Sequence, residues 1–232
     1  MAFPYEELFF RNRGTISAKE QRTLRTANVA IIGLGGTGGF ALENLVRAGV
    51  ENFVLFDPDR FELSNFNRQL LSNVKNIDGR KTTAAGARIM SINPDARIAA
   101  HGKRFAAKDW KLLKEEGCDI VLDCSDNIAT RHEISDACVH LKIPFVFSSA
   151  SFSRGMVSVF MPGVKFKKVF GFTDGDKEFA SCRSVICPAP ALAGTLTASQ
   201  AMNYLLGKPV VCAPEFIFFD VFSKEILWKK RL

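Results

Sequence analysis

The chain has 232 residues, 47% of them hydrophobic and 24% charged, which excludes a disordered chain and is typical of a soluble enzyme. No stretch approaches the ~20 consecutive apolar residues of a transmembrane helix, and the amino terminus lacks the pattern of a signal peptide, so we expect a cytoplasmic protein without membrane association. The net charge of +7 favours an anionic partner, which could be nucleotide phosphates, an acidic protein or RNA.

Helices and strands are predicted to alternate along the first 150 residues. Ser17 and Glu20 have the spacing of a capping box, which predicts a helix that runs to about Arg25. Short apolar runs predict strands over 28–32, 52–56, 96–100, 119–122 and 144–148. Helical spacing predicts helices over 40–48, 79–92, 108–116 and 130–142. This alternation is typical of an α/β fold with a Rossmann-like, doubly wound and mainly parallel sheet.

The pattern changes beyond residue 150. Residues 155–161, 215–221 and 225–229 are predicted to form strands of an antiparallel C-terminal extension. Residues 163–183 are rich in Gly, Lys and Asp with weak periodicity, which predicts a mobile loop. We therefore predict a single domain over 1–232, with an N-terminal arm and helix (1–26), a nucleotide-binding core (27–150) and the extension (151–232).

A glycine turn joins the first predicted strand to the next helix. Its order is Gly33-Leu34-Gly35-Gly36-Thr37-Gly38. Such a turn lets backbone N–H groups approach a phosphate, and the helix N terminus adds a partial positive charge. Close packing of helix on sheet could explain the glycines as well. Asp57 ends the second strand, where an acidic side chain can accept hydrogen bonds from a ribose, so a nucleotide site is favoured.

Cations and carboxylates follow the glycine turn. Asn65, Arg68 and Lys81 would form a basic cluster, which suits a triphosphate better than the apolar pocket that a nicotinamide needs, although scattered cations often form only a solvated surface. Asp126 and Asn127 follow a strand at the carboxyl end of the sheet, where ligands of open α/β folds bind. Either residue could cap the next helix, or a carboxylate could face a triphosphate through Mg²⁺.

Short motifs run in order along nearly the whole chain. They are Arg11-Asn12, Glu20-Gln21, Gly-Leu-Gly-Gly-Thr-Gly from 33, Asp-Pro-Asp from 57, Leu-Ser-Asn-Phe-Asn-Arg-Gln from 63, Gly-Arg-Lys from 79, Ile-Asn-Pro from 92, Asp-Cys-Ser-Asp-Asn from 123 and Ser-Gln-Ala-Met from 199. In this order and spacing they resemble the ThiF/MoeB/HesA group, the bacterial and archaeal relatives of ubiquitin-activating enzymes.

The resemblance implies a homodimeric adenylyltransferase. It would use ATP and Mg²⁺ to adenylate the C-terminal carboxylate of a ubiquitin-like sulfur-carrier protein or peptide that ends in Gly-Gly, with release of pyrophosphate. A carboxylate, with a pKa near 4, is already ionised at neutral pH, so no general base is required. His101, His132 and His140 accordingly fall in none of the motifs.

The resemblance also assigns roles to residues. Gly33, Gly35, Gly36 and Gly38 would hold the phosphates, Asp57 and Asp59 would lie at the ribose, Asn65, Arg68 and Lys81 around the triphosphate, Gln69 and Asn127 at the nucleotide, and Asp126 on Mg²⁺. Arg11 matches an arginine contributed across the dimer interface. The family more often has Gln where Asn12 stands, so Arg13 remains an alternative.

Two departures from the family concern cysteine. Many relatives carry two Cys-x-x-Cys pairs that bind zinc, and this chain has none, so no zinc is predicted. Cys187 stands where the family often has a cysteine that accepts the activated acyl group, with Cys182 nearby. An inert Cys187 in its apolar surroundings is an equal alternative, although Arg183 could shift that balance.

Two other functions remain open on the sequence. The first is an enzyme of the tRNA threonylcarbamoyladenosine dehydratase type, which also activates a carboxylate with ATP and which the positive charge would suit. The second is a protein that binds nucleotide without turnover, against which Arg68, Lys81 and Asp126 argue. The carrier, and so the pathway (molybdopterin, thiamine, cysteine or natural product), is left open.

Overall fold

The structure is a computed structural model that describes residues 4–171 and 184–232. The described residues form one eight-stranded sheet with helices against it. The strands are β1 (Asn28–Ile32), β2 (Asn52–Phe56), β3 (Arg97–His101), β4 (Ile120–Asp123), β5 (Phe145–Ser151), β6 (Arg154–Phe160), β7 (Glu215–Asp220) and β8 (Leu227–Arg231). The helices are α1 (Tyr5–Leu8), α2 (Ala18–Thr26), α3 (Gly36–Ala48), α4 (Lys81–Ile92), α5 (Trp110–Glu115), α6 (Ile128–Leu141), α7 (Phe166–Phe170) and α8 (Pro188–Leu205).

The strand order is β3-β2-β1-β4-β5-β6-β7-β8. Neighbouring strands from β3 to β5 are parallel, and each pair from β5 to β8 is antiparallel. The direction of winding reverses between β1 and β4, which are paired in register from Val29 with Ile120 to Ile32 with Asp123. The predicted Rossmann-like, mainly parallel sheet with an antiparallel extension is confirmed.

Both faces of the sheet are covered, because successive side chains of a strand point to opposite faces. In β1, Val29 and Ile31 belong to a core of mainly aliphatic residues that includes Leu42 of α3. Ala30 and Ile32 belong to a second core on the other face. The second core is rich in phenylalanine, as in the stacked pair Phe145 and Phe160, whose ring centroids are 4.6 Å apart. Phenylalanine rings need no hydrogen-bond partner, which suits a fully buried layer. The phenylalanines of this layer are Phe56, Phe105, Phe145, Phe147, Phe160, Phe166 and Phe216.

Two predicted helix ends are formed by the expected residues. At the start of α2, Ser17 Oγ accepts a hydrogen bond from Glu20 N at 3.2 Å, and Ser17 N donates to a Glu20 carboxylate oxygen at 2.7 Å. Helix α3 ends at Gly49, whose φ of 98° is a conformation that glycine adopts without strain. None of the helices in the described part of the chain is long and apolar enough to span a bilayer.

Several elements differ from the sequence prediction. Helix α8 was not predicted, because the face that it buries consists mainly of small residues, so the two faces of the helix differ little in hydrophobicity. Helix α7 lies within the predicted loop 163–183, where Phe166 enters the aromatic core. The rest of the predicted loop, residues 172–183 with Cys182 and Arg183, falls outside the described residues. Strand β8 begins two residues later than predicted, and α3 begins one turn earlier.

Candidate functional site

The glycine turn lies where the winding of the sheet reverses. It follows β1, and the segment from Cys124 to Asn127 follows β4, the neighbouring strand. In open α/β sheets this crevice at the carboxyl ends of the strands is where ligands bind. The two segments are in contact, since a Cβ atom built on Gly33 would lie 3.1 Å from Ser125 N.

Two of the glycines are required by the fold itself. Gly33 has a φ of 92°, and a Cβ atom there would lie 2.5 Å from the Cys124 carbonyl oxygen. A Cβ atom on Gly38 would lie only 1.9 Å from the Gly33 carbonyl oxygen. Close packing alone therefore accounts for glycine at these two positions, which is the alternative explanation of the motif that the sequence left open.

Gly35 is different, because its φ of −76° is negative and packing leaves space for a side chain. A Cβ atom there would meet only Gln69 Nε2, at an ordinary 3.7 Å. Gly35 is the N-cap of α3, and no side chain of residues 4–171 or 184–232 caps this helix end. Gln69 is 7% exposed, and its Oε1 atom is buried without a hydrogen-bond partner among the described residues. The Gln69 atom nearest to Gly35 is Nε2, which is a donor. An open helix N terminus beside an amide donor is an environment that a bound phosphate would complete.

Asp57 supports the turn from inside the protein. Its Oδ2 accepts a hydrogen bond from Leu34 N at 2.7 Å, and its Oδ1 accepts one from Asp59 N at 2.8 Å. Burial raises the pKa of Asp57 above its ordinary value, and the nearby charge of Lys81 opposes that rise. Asp59 has 60% of its side chain exposed, so it is the more accessible of the two carboxylates assigned to the ribose.

Lys81 is buried at the first position of α4, and its Nζ lies 2.9 Å from Asp59 Oδ2. The structure thus brings Lys81 to the two aspartates after β2. Asn65, which is also buried, accepts a hydrogen bond from Glu62 N at 3.1 Å and so closes a single 3-10 turn. Both side chains are fixed before any ligand binds.

Arg68 lies beside the first turn of α3, its carbonyl oxygen 3.5 Å from a Cβ atom built on Gly36. The Arg68 Nη1 atom donates to the Ser64 carbonyl at 2.7 Å and to Asn67 Oδ1 at 3.0 Å. Its Nε and Nη2 atoms make no hydrogen bond with residues 4–171 or 184–232. The guanidinium group is therefore held along one side and presents a fork of N–H donors, the geometry that binds phosphate oxygens in pairs.

Asp126 and Asn127 have separate surroundings after β4. Asn127 caps α6, because its Oδ1 accepts a hydrogen bond from Thr130 N at 2.9 Å, which confirms the capping alternative for this residue. Asp126 is exposed and forms no ion pair with any described residue. Within 4–171 and 184–232, no cluster of three or more His, Cys, Asp or Glu side chains could hold a metal ion. One carboxylate with substrate phosphates does suit Mg²⁺, which often binds in that way.

Cys187 lies close to the glycine turn, and Arg11 does not. Cys187 is the N-cap of α8, three residues before Pro190, whose Cβ atom lies 3.0 Å from a Cβ atom built on Gly36. Arg11 is exposed beside Asn12, which donates a hydrogen bond to the carbonyl of Ala48 at the far end of α3. A helix of 13 residues is ~20 Å long, so Arg11 lies at the opposite end of α3 from the turn of its own chain.

The sequence profile that matches this chain is that of the ThiF family, over residues 9–231. The chain belongs to the ThiF family. One relative, the sulfur carrier protein ThiS adenylyltransferase of Escherichia coli, is 36% identical over 219 residues, which cover 92% of this chain and 85% of the relative. The sulfur carrier protein adenylyltransferase of Thermus thermophilus is 31% identical over 215 residues, which cover 88% of this chain and 79% of the relative. The fold resembles that of E. coli MccB crystallised with ATP, with a TM-score of 0.79 at 19% identity over 98% of this chain and 70% of MccB.

The sequence analysis missed a buried ion pair in this ThiF-family chain. Asp123 is fully buried at the end of β4, and Arg131, 7% exposed, lies on α6 with its Nε 3.9 Å from Asp123 Oδ2. Neither of these two atoms has a hydrogen-bond partner in the described part of the chain. Burial raises the pKa of Asp123 and lowers that of Arg131, and the charge of each partner opposes the shift.

The same pair holds the turn that carries Asp126. Asp123 Oδ1 accepts hydrogen bonds from Ser125 N at 3.1 Å and Ser125 Oγ at 2.6 Å, and Arg131 Nη2 donates to the Ser125 carbonyl at 2.9 Å. One signal could have revealed Arg131 in advance: the arginine lies three residues before Ile134, on the apolar face of the predicted helix. A charge on such a face is nearly always paired.

Proposed function

We propose that this chain is a cytoplasmic, homodimeric adenylyltransferase that uses ATP and Mg²⁺. It would activate the C-terminal carboxylate of a ubiquitin-like sulfur-carrier protein or peptide with a Gly-Gly tail. The observation that carries the proposal is the open N terminus of α3 at Gly35, with the Gln69 Nε2 donor and the free edge of Arg68 beside it. The relatives named above, adenylyltransferases of sulfur carrier proteins, support the substrate class.

The reaction requires little beyond charge and position. A carboxylate oxygen of the carrier attacks the α-phosphorus of ATP, the bond from that phosphorus to the bridging oxygen breaks, and its electron pair leaves with pyrophosphate. No proton is transferred, so no base is needed. The obstacle is repulsion between the anionic carboxylate and the triphosphate. This repulsion would be reduced by Arg68, Lys81 and the N terminus of α3. The attraction between one cation and one negative charge 4 Å away contributes ~4 kcal/mol.

A metal ion fits Asp126, since its exposed carboxylate is without an ion pair in the described structure. Mg²⁺ held there would neutralise part of the triphosphate charge when bound. Asn127 contributes indirectly, because its side chain fixes the start of α6 beside Asp126.

Arg11 supports a homodimer. This arginine is exposed at the end of α3 far from its own glycine turn, and it has no hydrogen bond or ion pair with the described residues. Arg13 is less available, because its guanidinium lies 4.9 Å from the centre of the Phe10 ring. Arg11 would therefore reach the nucleotide of a second copy of the chain.

Cys187 would receive the acyl group from the adenylate. It lies beside the glycine turn at the start of α8 and is half-buried. Cys124 also lies next to the turn, but burial raises the pKa of its thiol to about 12, so this thiol stays protonated. Cys187 is thus the better candidate near the site.

The central test is exchange of labelled pyrophosphate into ATP in the presence of a panel of carriers that end in Gly-Gly. We expect Arg68→Ala and Asp126→Ala each to reduce the exchange rate by at least about a hundredfold, because each removes one interaction with the triphosphate or its metal. Arg104→Ala and Asp95→Ala, exposed and outside the site, serve as matched controls and should retain the wild-type rate.

Exchange that is stimulated by tRNA and by no carrier would instead favour the dehydratase alternative. An Asp126→Ala protein with unchanged exchange would show that the magnesium assignment is wrong.

The dimer assignment is tested by mixing two inactive proteins. Arg11→Ala and Asp126→Ala should each be nearly inactive in exchange, since each lacks one half of every site. After co-refolding, half the dimers would be mixed and one of their two sites intact, so about a quarter of the wild-type rate should return. Arg13→Ala should be active alone. If the mixture stays inactive while both variants form dimers by gel filtration, Arg11 does not act across the interface.

A further inference from the structure

Asn67 contacts two separate parts of the site through the two ends of one side-chain amide. Its Oδ1 accepts a hydrogen bond from Arg68 Nη1 at 3.0 Å. Its Nδ2 donates to the Val185 carbonyl, also at 3.0 Å, although the two residues are 118 positions apart in the chain. The Asn67 side chain is exposed, so it does not fill the core.

On one side, Asn67 fixes the orientation of Arg68. Both N–H bonds of Nη1 are occupied, one by the Ser64 carbonyl and one by Asn67 Oδ1. Since the guanidinium group is planar and rigid, these two bonds also set the direction of the Nε and Nη2 donors. A donor fork that is oriented before the anion arrives loses less entropy on binding.

On the other side, Asn67 holds the residues that lead into Cys187. Phe152 N donates to the Ser184 carbonyl at 2.8 Å, and Ile186 N donates to the Phe152 carbonyl at 3.0 Å. Phe152 has a φ of 55°, a conformation that a phenylalanine rarely adopts. Residues 184–186 therefore rest on a strained residue and on Asn67, and Cys187 follows directly.

We propose that Asn67 is a positioning residue, which sets the phosphate-binding face of Arg68 and the segment before Cys187 in a fixed relation to each other. The inference rests on the proposed function for the role of Arg68, but the contact with Val185 is independent of it. The two groups that this one side chain joins are those assigned to the triphosphate and to the acyl acceptor.

The test compares Asn67→Ala, Asn67→Asp and Asn67→Gln with the control Asn203→Ala, a half-buried asparagine whose amide also donates to a backbone carbonyl. Two quantities are measured: the KM for ATP in pyrophosphate exchange, and the rate at which a maleimide alkylates Cys187 without nucleotide, followed by peptide mass spectrometry. Cys212 and Cys118 in the same samples report any general loosening of the fold.

Asn67→Ala should raise both the KM and the alkylation rate of Cys187 by about fivefold, the equivalent of one hydrogen bond each. Asn67→Asp should raise the alkylation rate equally, because a carboxylate cannot donate to Val185. Asn67→Gln keeps the amide donor and acceptor, so its KM for ATP and its alkylation rate should lie between those of wild type and Asn67→Ala. Cys212, Cys118 and the control protein should be unchanged.

The inference is overturned if only one of the two quantities changes in Asn67→Ala, if Asn67→Asp alkylates at the wild-type rate, or if all cysteines become more reactive together. A wild-type protein that exchanges no pyrophosphate with any carrier would count against the proposed function. The alkylation result would still decide whether Asn67 holds the segment before Cys187.

Discussion

Alanine at Gly35 should weaken nucleotide binding and leave the fold intact, whereas alanine at Gly38 should disrupt the fold itself. At Gly35 the new methyl group meets only Gln69 at 3.7 Å, so we expect the melting temperature to change by no more than about 2 °C. The same methyl group would occupy the space at the N terminus of α3 that a phosphate would fill. We expect the KM for ATP to rise at least about tenfold, which is 1.4 kcal/mol or more.

Gly38→Ala is the matched variant in the same turn. Its methyl group would lie 1.9 Å from the backbone oxygen of Gly33, which cannot move without displacing β1 or α3. We expect a loss of about 3 kcal/mol or more in the free energy of unfolding, at the upper end of overpacking effects. Urea unfolding followed by the fluorescence of Trp110 and Trp228 would measure it.

The two glycine variants together separate ligand binding from folding. A Gly35→Ala protein that binds ATP as tightly as wild type would remove the main support for a phosphate at this helix end. A Gly35→Ala protein as unstable as Gly38→Ala would show that the turn needs both glycines for packing alone.

The second large effect concerns the buried pair of Asp123 and Arg131. Asp123→Ala leaves a buried guanidinium group without its counter-charge, and we expect a loss of about 3–5 kcal/mol in the free energy of unfolding. The double variant Asp123→Asn with Arg131→Met removes both charges and should recover more than half of that loss. Urea unfolding of the three proteins measures both values. If the double variant is as unstable as Asp123→Ala, the cost does not come from an unpaired charge.

The same pair gives a pH dependence with an unusual sign. Burial raises the pKa of Asp123 in the folded state above the ordinary value near 4, so between the two values the folded protein binds more protons than the unfolded one. Stability from this group therefore falls as the pH rises from about 4 through the raised pKa. Asp123→Asn should show a smaller decline over that range. Asp57, whose pKa burial also raises, keeps part of the slope in both proteins.

The core of the fold could be predicted because its signals are local. Strands β1 and β2 lie where predicted, since an apolar run ends at a glycine or an aspartate in each case. The start of α2 follows from two side chains three residues apart. Helix α8 could not be found in this way, because its buried face carries mainly Ala, Gly and Thr, whose hydrophobicity differs little from that of the opposite face.

In the candidate site, too, the features with local sequence signals could be predicted and the long-range contacts could not. The motif residues around the glycine turn follow one another at short spacing, and the structure brings them together as expected, from Asp57 to Arg68. The contacts that hold them do not appear in the sequence. The pairing of Asp123 with Arg131 and the bond from Asn67 to Val185 each depend on how distant segments meet in space.

The contact between α3 and α8 bears on how chains of this kind can change length. A Cβ atom built on Gly194 of α8 would lie 2.4 Å from the Thr37 carbonyl of α3, so the second turn of α8 touches the first turn of α3. The packing of this helix pair sets the spacing between Gly35 and Cys187. A single residue inserted between Pro190 and Gly194 would therefore rotate the start of α8 by ~100° and turn Cys187 away.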